Sequence, residues 1–139
     1  MEKQRFLIDT SIWIDLYENR SGFNGEPLGD YALKLLSFIK TNHHRIVLTK
    51  TLLRELEKHF SMPQINGMMK PFDSLIDIVQ ITEQQMMESV SISEKRGLPK
   101  GDAIHAITAR DHGLILISRD KHFRILDDIS EHFKPEEIV

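Results

Sequence analysis

The stretch DAIHAITARDHGLILISRD, residues 102–120, decides the fold of this chain. Its first half carries apolar residues at helical spacing, and the glycine at position 113 is typical of a helix end. Its second half contains the continuous apolar run 114–117, a pattern that favours a strand buried on both faces. A helix that leads into such a strand is the repeating unit of an α/β protein.

The same alternation extends over the rest of the sequence. Strand-like apolar runs lie at residues 6–8, 46–48, 75–81 and 114–117. Helical periodicity or capping signals predict helices near residues 10–16, 30–39, 49–60, 82–96 and 102–112, with residues 61–71 irregular or forming one short helix. The tail, residues 135–139, could add an edge strand. We therefore expect one domain over residues 1–139, a three-layer α/β/α doubly wound fold with a mostly parallel sheet.

Composition limits the possible functions. The chain has 139 residues, of which 40% are hydrophobic and 28% charged, as in a globular protein. It contains no cysteine, which excludes disulfides, thiolate metal sites and a cysteine nucleophile. With no apolar run long enough for a membrane span and a charged start, MEKQR, we expect a cytoplasmic protein without a signal peptide. The net charge of −3 does not favour nucleic-acid binding by charge alone.

Four acids occupy positions that this fold brings to one edge of the sheet. Asp9 ends the first strand and Asp120 lies just past the fourth, while Glu55 and Asp102 lie in the first turns of two helices. Functional groups of such sheets lie beyond the carboxyl ends of the strands. Two carboxylates about 4 Å apart repel by about 4 kcal/mol at an effective dielectric near 20, so the cluster needs protons or cations. Oxygen ligands alone suit Mg²⁺ or Mn²⁺.

Hydroxyl side chains stand beside two of these acids. Thr10 and Ser11 follow the first acid, and Ser118 precedes the last by two residues. They could hold a water bound to the metal, or a phosphate.

Each acid also has a purely structural interpretation. Asp9 and Asp102 could cap their helices, Asp120 could be a turn residue, and Glu55 could be half of a surface ion pair. The residue pattern alone leaves both interpretations open.

Four segments, in this order, resemble the motifs of the PIN domain family, the metal-dependent ribonucleases that include the VapC toxins of toxin–antitoxin pairs. They are FLIDTSIWID (6–15), LTKTLLREL (48–56), GDAIHAITA (101–109) and GLILISRDKHF (113–123). Together they span nearly the whole chain.

The resemblance implies that Asp9, Glu55, Asp102 and Asp120 are catalytic and hold the metal. Ser118 fills the place of the hydroxyl residue that the family usually has two positions before the last acid. The implied reaction is hydrolysis of single-stranded RNA by a metal-activated water. The resemblance also implies a homodimer and an antitoxin protein as partner.

Basic residues and histidines complete the set of candidates. Arg54, Lys100, Arg119 and Lys121 could form a rim that steers phosphates, with Lys121 the best candidate, or could make ordinary ion pairs. His105 shares a helix face with Asp102 and could orient that carboxylate or shuttle a proton, or could simply be packed. We expect the other histidines, at positions 43, 44, 59, 112, 122 and 132, to lie on the surface.

Two other functions remain open on the sequence alone. A phospho-receiver-like signalling module also places acids around Mg²⁺ at strand ends, but it usually has a paired acid near the first strand end, where this chain has Thr10 and Ser11. A PIN-like scaffold that binds RNA without cutting it is the second.

Overall fold

A five-stranded parallel sheet forms the centre of the protein in the computed structural model, which describes residues 2–139. The strand order is β3-β2-β1-β4-β5. The strands are β1 (Arg5–Ile8), β2 (Arg45–Leu48), β3 (Ile76–Ile78), β4 (Ile115–Ile117) and β5 (His132–Phe133). The helices are α1 (Thr10–Glu18), α2 (Leu28–Thr41), α3 (Lys50–Glu57), α4 (Met62–Met69), α5 (Glu83–Arg96), α6 (Lys100–His112) and α7 (Pro135–Ile138).

The first strand lies in the middle of the sheet. Its residues Phe6, Leu7 and Ile8 are fully buried, and they pair with β2 on one side and β4 on the other. Leu7 lies opposite Val47 and Leu116. Both faces of β1 are therefore inside the core, which explains why its sequence is continuously apolar rather than alternating.

Helices cover the sheet in two groups. Helix α2 packs against α1 and α7, and α5 packs against α6. All strand pairs among the described residues are parallel. The predicted α/β doubly wound fold is confirmed, and the sheet is parallel throughout this part of the chain rather than mostly so.

The predicted strand in the tail is wrong. Residues 135–139 contain α7, which begins at Pro135, and the backbone N–H of Lys134 donates to the side chain of Glu137 at 2.8 Å. Proline lacks the N–H that an inner strand needs but fits the first turn of a helix. The edge strand is instead β5, whose two residues are too few to show a period in the sequence.

Several element boundaries also differ from the prediction. The third strand covers only Ile76–Ile78, and α3 ends at Glu57, before the buried Phe60. Helix α2 begins at Leu28, and its buried stripe leaves Leu33 54% exposed. None of the helices described in residues 2–139 is long and apolar enough to cross a membrane.

Candidate active site

Asp9 directly follows the last residue of β1, at the edge of the sheet where the strands end. Its backbone N–H donates to the carbonyl of Ile117 at 2.9 Å, which joins it to the end of β4. Its side chain makes no capping hydrogen bond to α1. Instead, Oδ2 accepts hydrogen bonds from the hydroxyls of Ser11 at 3.0 Å and Ser118 at 2.9 Å. Two hydroxyls thus fix one oxygen of a nearly buried carboxylate beside the sheet edge.

Glu55 reaches the same place from α3. Thr49 caps that helix by accepting from the N–H of Leu52 at 3.1 Å, which directs the helix away from the end of β2. The carboxylate of Glu55 accepts from the Thr10 hydroxyl at 3.2 Å and contacts Nε2 of His105 at 2.8 Å. Glu55 is therefore held by groups from two other elements rather than by solvent.

Asp102 and Asp120 share a histidine. Nδ1 of His122 lies 3.0 Å from Oδ2 of Asp102 and 3.1 Å from Oδ1 of Asp120. The same Oδ1 of Asp120 accepts from the backbone N–H of His122, and the backbone N–H of Asp120 donates to Ser118 at 3.0 Å. Ser118 thus connects Asp120 to Asp9, because its own hydroxyl donates to Asp9.

Burial and neighbouring charges change the pKa of Asp102. Burial, together with the charges of Asp120 and Asp9, raises the pKa of Asp102 to about 6 against the opposing effect of His122 and His105. A carboxyl with such a pKa stands in an environment that disfavours its own negative charge.

His105 and Glu55 form a charged pair in the interior. Burial by itself lowers the pKa of His105, but the hydrogen bond to Glu55 and the charges of Glu55, Asp9 and Asp102 outweigh it and raise that pKa. Burial alone raises the pKa of Glu55, but the hydrogen bond and charge of His105 and the hydroxyl of Thr10 bring it below its usual value. Nε2 of His105 lies 4.0 Å from Oδ1 of Asp9, so the protonated imidazole faces Asp9 as well as Glu55.

All four acids line one cleft of about 560 Å³, which we call the acidic cleft. Its walls also carry the basic side chains of Arg20, Arg54, Lys58 and Lys100. A cleft lined by both acidic and basic side chains is the arrangement expected for a site that binds cations and a polyanion together.

A comparison with protein-family models identifies residues 6–129 as a PIN domain. The chain belongs to the PIN domain family. This family consists generally of nucleases, and the match covers the described acids and all strands except β5.

Solved structures share the fold of this PIN domain. PAE2754 from Pyrobaculum aerophilum is 15% identical, with a TM-score of 0.63 over 97% of this chain and 86% of that one. VapBC2 from Rickettsia felis, bound to a DNA fragment from its promoter, is 17% identical, with a TM-score of 0.64 over 93% and 98%. A toxin–antitoxin complex from Klebsiella pneumoniae is 26% identical, with a TM-score of 0.57 over 94% and 97%. No curated protein matches the chain with significant similarity.

The donor groups of this PIN domain fit a divalent cation. Two sets of ligand atoms lie within 4.8 Å of one another: Asp9, Glu55 and His105 in one, and Asp102, Asp120 and His122 in the other. Burial, together with the charges of Asp120 and Asp9, raises the pKa of Asp102, and a bound cation would favour its charged form. Each set contains two carboxylates, whose oxygens are the hard ligands that Mg²⁺ or Mn²⁺ prefers.

The structure assembles the predicted acids and corrects some of their neighbours. Asp9, Glu55, Asp102 and Asp120 all line the acidic cleft, and Thr10, Ser11 and Ser118 all bond to them or to their backbone. His105 contacts Glu55 rather than Asp102 by hydrogen bond. Lys121 is exposed and lies outside the lining of the cleft, which does include Arg54 and Lys100.

Three residues of this PIN domain were assigned wrongly or missed by sequence reasoning. His122 was expected on the surface and its side chain is 39% exposed, but its contact with two of the acids was missed; His44, also expected on the surface, is fully buried. Arg20 was not singled out, although its side chain lines the cleft. Only the position of His122, two residues after Asp120, gave a signal in the sequence.

Proposed function

We propose that this protein is a Mg²⁺- or Mn²⁺-dependent endoribonuclease that hydrolyses phosphodiester bonds in single-stranded RNA and acts as the toxin of a toxin–antitoxin pair. The observation that carries the proposal is the convergence of Asp9, Asp102 and Asp120 in one cleft, where burial and the charges of Asp120 and Asp9 raise the pKa of Asp102. Membership of a nuclease family supports the chemistry.

Asp9, Asp102 and Asp120 hold the cation in this proposal, with Glu55 completing the site. Bound Mg²⁺ or Mn²⁺ supplies Lewis acidity towards water and phosphate oxygens. Ser11 and Ser118 occupy Oδ2 of Asp9 and so keep its orientation fixed before substrate binds. This preorganisation lowers the cost of assembling the site around the scissile phosphate.

Glu55 and His105 have separate roles in the same site. Nε2 of His105 holds its proton against Oε1 of Glu55 and fixes that carboxylate near Asp9. Oε2 of Glu55 accepts from the hydroxyl of Thr10, and both residues line the acidic cleft. The buried imidazole is a positioning group, because it lies beneath Glu55 and is fully excluded from solvent.

Two solved complexes support the proposed partner. The Rickettsia felis structure contains VapBC2, and the Klebsiella pneumoniae structure is a toxin–antitoxin complex. By this likeness, an antitoxin protein binds this chain and blocks its cleft. The proposal also includes a homodimer and a cytoplasmic location, as the resemblance to VapC toxins implies.

A cleavage assay tests the activity. A single-stranded oligoribonucleotide with a fluorophore and a quencher is incubated with the purified chain in Mg²⁺, in Mn²⁺ and in EDTA, beside matched DNA and duplex RNA. We expect cleavage of the single-stranded RNA only, and only with a divalent cation. Asp9→Asn and Asp120→Asn should each lower the rate by at least about 100-fold, since each removes charge where the cation binds.

Asp30→Asn is the matched control, because Asp30 is an exposed acid on α2 outside the cleft. It should cleave like the wild type. Full activity of Asp9→Asn or Asp120→Asn with folding intact, or wild-type cleavage in EDTA, would overturn the proposal. Calorimetric titration with Mg²⁺ beside the cleavage assay separates a nuclease from a PIN scaffold that binds RNA without cutting it.

A further inference from the structure

Arg20 lies at the rim of the acidic cleft and forms an ion pair with Asp15. The carboxylate of Asp15 has no role in the proposed reaction. Asp15 lies in α1 with no exposed side-chain surface, and Nε of Arg20 approaches its Oδ1 at 3.1 Å. The Arg20 side chain is itself 47% exposed and lines the cleft. Within residues 2–139, Asp15 is the only acid at ion-pair distance from Arg20.

The backbone around Arg20 is fixed on both sides. Helix α1 ends at Glu18, and its C-cap Asn19 has a left-handed φ of 49°. The N–H of Arg20 then donates to the carbonyl of Asp15 at 3.0 Å. The carbonyl of Arg20 accepts from Gly29 at 3.0 Å. Glycine is required at that point, because a Cβ on Gly29 would lie 2.7 Å from Cα of Asn19. Arg20 is therefore presented by a closed, hydrogen-bonded connection.

Asp15 faces a second cation, Arg119, which with Arg20 opposes the effect of burial that raises the pKa of Asp15. Nε of Arg119 lies 3.4 Å from Oδ2 of Asp15, and the Arg119 guanidinium is also engaged by Glu136 through two hydrogen bonds of 2.8 and 2.5 Å. Arg119 is thereby committed to structural ion pairs and is largely buried. The Arg20 side chain is 47% exposed against 16% for Arg119, so Arg20 is the more accessible of the two cations on Asp15.

The other basic groups of the cleft wall lack such an anchor. Arg54, Lys58 and Lys100 are exposed, and none of them pairs with an acid among residues 2–139. A long side chain loses rotamer freedom when it binds a ligand, and this cost is smaller for a guanidinium that is already held. Arg20 is the preorganised cation of the set.

We propose that Arg20, held by the buried Asp15, binds a backbone phosphate of the RNA strand next to the scissile one. The inference rests on the proposed function for the identity of the strand. A strand that enters this cleft meets several carboxylates, and the chain as a whole carries a net charge of −3. Attraction must therefore come from local cations, and a guanidinium matches phosphate oxygens with two parallel hydrogen bonds.

Binding is measured on the Asp120→Asn background in Mg²⁺, so that cleavage does not consume the probe. Fluorescence anisotropy gives the Kd of a labelled single-stranded oligoribonucleotide at several salt concentrations. Arg20→Gln should raise the Kd about five- to tenfold at about 0.1 M salt and lower the slope of log Kd against log salt by about 0.7, the loss of one phosphate contact. In the otherwise native chain it should raise KM and leave kcat within about twofold.

Arg110→Gln is the matched control, since Arg110 is an exposed arginine of α6 that pairs with Glu88 and Asp111 outside the cleft. It should leave the Kd and the salt slope at the reference values. Asp15→Asn keeps the charge of Arg20 but loosens its anchor, so the slope should stay while the Kd rises about two- to threefold. The double variant Asp15→Asn/Arg20→Gln must bind as weakly as Arg20→Gln, which separates the contact from any loss of stability.

If folded Arg20→Gln has the same Kd, KM and salt slope as the protein without this substitution, the inference is overturned. The proposed nuclease function would be unaffected by that result. An Arg20-dependent slope in a chain that does not cleave RNA would support the phosphate contact and count against the proposed function. An effect of Arg20→Gln confined to binding of a protein partner would also overturn it.

Discussion

Nε2 of His105 lies 2.8 Å from Oε1 of Glu55, and the imidazole is completely buried while the carboxylate is partly open to the cleft. The two residues are 50 positions apart, on α6 and α3. The contact therefore links the motif that contains Glu55 to the motif that contains Asp102, beneath the acidic cleft.

This pair predicts a pH window of stability in metal-free protein. The raised pKa of His105 means that its contribution is complete below 6.5 and is lost as pH rises through the folded value. The lowered pKa of Glu55 means that its contribution is complete above 4.5 and is lost as pH falls. His105→Gln should cost about 2–4 kcal/mol in the window between them, measured by urea unfolding in EDTA, and less once the pH exceeds the folded pKa of His105.

His112→Gln serves as its control, because His112 is exposed at the end of the same helix. A loss of stability in His105→Gln that is the same at every pH would contradict a charged pair.

Asp102→Asn should stabilise the metal-free protein although it abolishes cleavage. Burial and the charges of Asp120 and Asp9 raise the pKa of Asp102 from 3.8 to about 6, so the folded state binds this proton more tightly than the unfolded state. The wild type therefore loses stability relative to the variant as pH rises from about 4 to about 7, by at most about 3 kcal/mol.

Thermal unfolding in EDTA between these pH values measures this difference. Added Mg²⁺ should raise the Tm of the wild type and leave Asp102→Asn nearly unchanged. A variant that is less stable than the wild type at neutral pH in EDTA would show that the carboxylate is already compensated by the protein.

Gly101→Ala should disturb the site without disturbing the fold. A Cβ at this position would lie 2.8 Å from Oε1 of Glu55, so the carboxylate must move away from His105. The movable group is the end of a side chain, and we expect a change in unfolding free energy within about 1 kcal/mol. Cleavage should fall about tenfold or more, because displaced groups no longer meet the substrate correctly.

The matched control is Gly67→Ala in α4, where a Cβ would meet no atom within 4 Å. The free energy of unfolding of this variant should rise by roughly 0.5–1 kcal/mol, because alanine favours a helix more than glycine does. Its cleavage rate should be that of the wild type. Equal activity of the two alanine variants would argue against a role for the position of Glu55.

Ser118→Ala tests the bridge between Asp9 and Asp120. The variant leaves the backbone N–H of Asp120 without its acceptor and Oδ2 of Asp9 with one hydroxyl donor instead of two. We expect a loss of about 1–3 kcal/mol in chemical denaturation and a lower kcat. Ser118→Thr keeps the hydroxyl and should retain the stability and the kcat of the wild type. Ser37→Ala, on the exposed side of α2, should change neither the stability nor kcat.

The apolar runs predicted the inner strands because strands buried on both faces leave an unambiguous pattern. Residues 6–8 and 46–48 are strands in the structure, and the capping box at Thr82 and Gln85 is present as predicted. The prediction failed where tertiary contacts decide. His44 is buried beside Phe6 and Phe38, and the sequence around it is polar.

The four acids could be predicted as a group because each follows a strand or begins a helix at the same edge of the sheet. Their hydrogen-bond partners could not, since these depend on how α3 and α6 pack. His105 was expected to face Asp102, three residues away on the same helix, yet the nearer acceptor is Glu55. Arg20 lies in a loop, where no periodicity indicates which way a side chain faces.

The pairing of β1 with β4 has a consequence for biosynthesis. Phe6 lies opposite Ile115, so the first strand made by the ribosome finds one of its two neighbours only after more than a hundred further residues. Contacts of such long sequence separation form late and slow folding. Asp9 consequently stays apart from Asp120 while the nascent chain emerges. The acidic cleft can be complete only after the ribosome has translated β4 and Asp120.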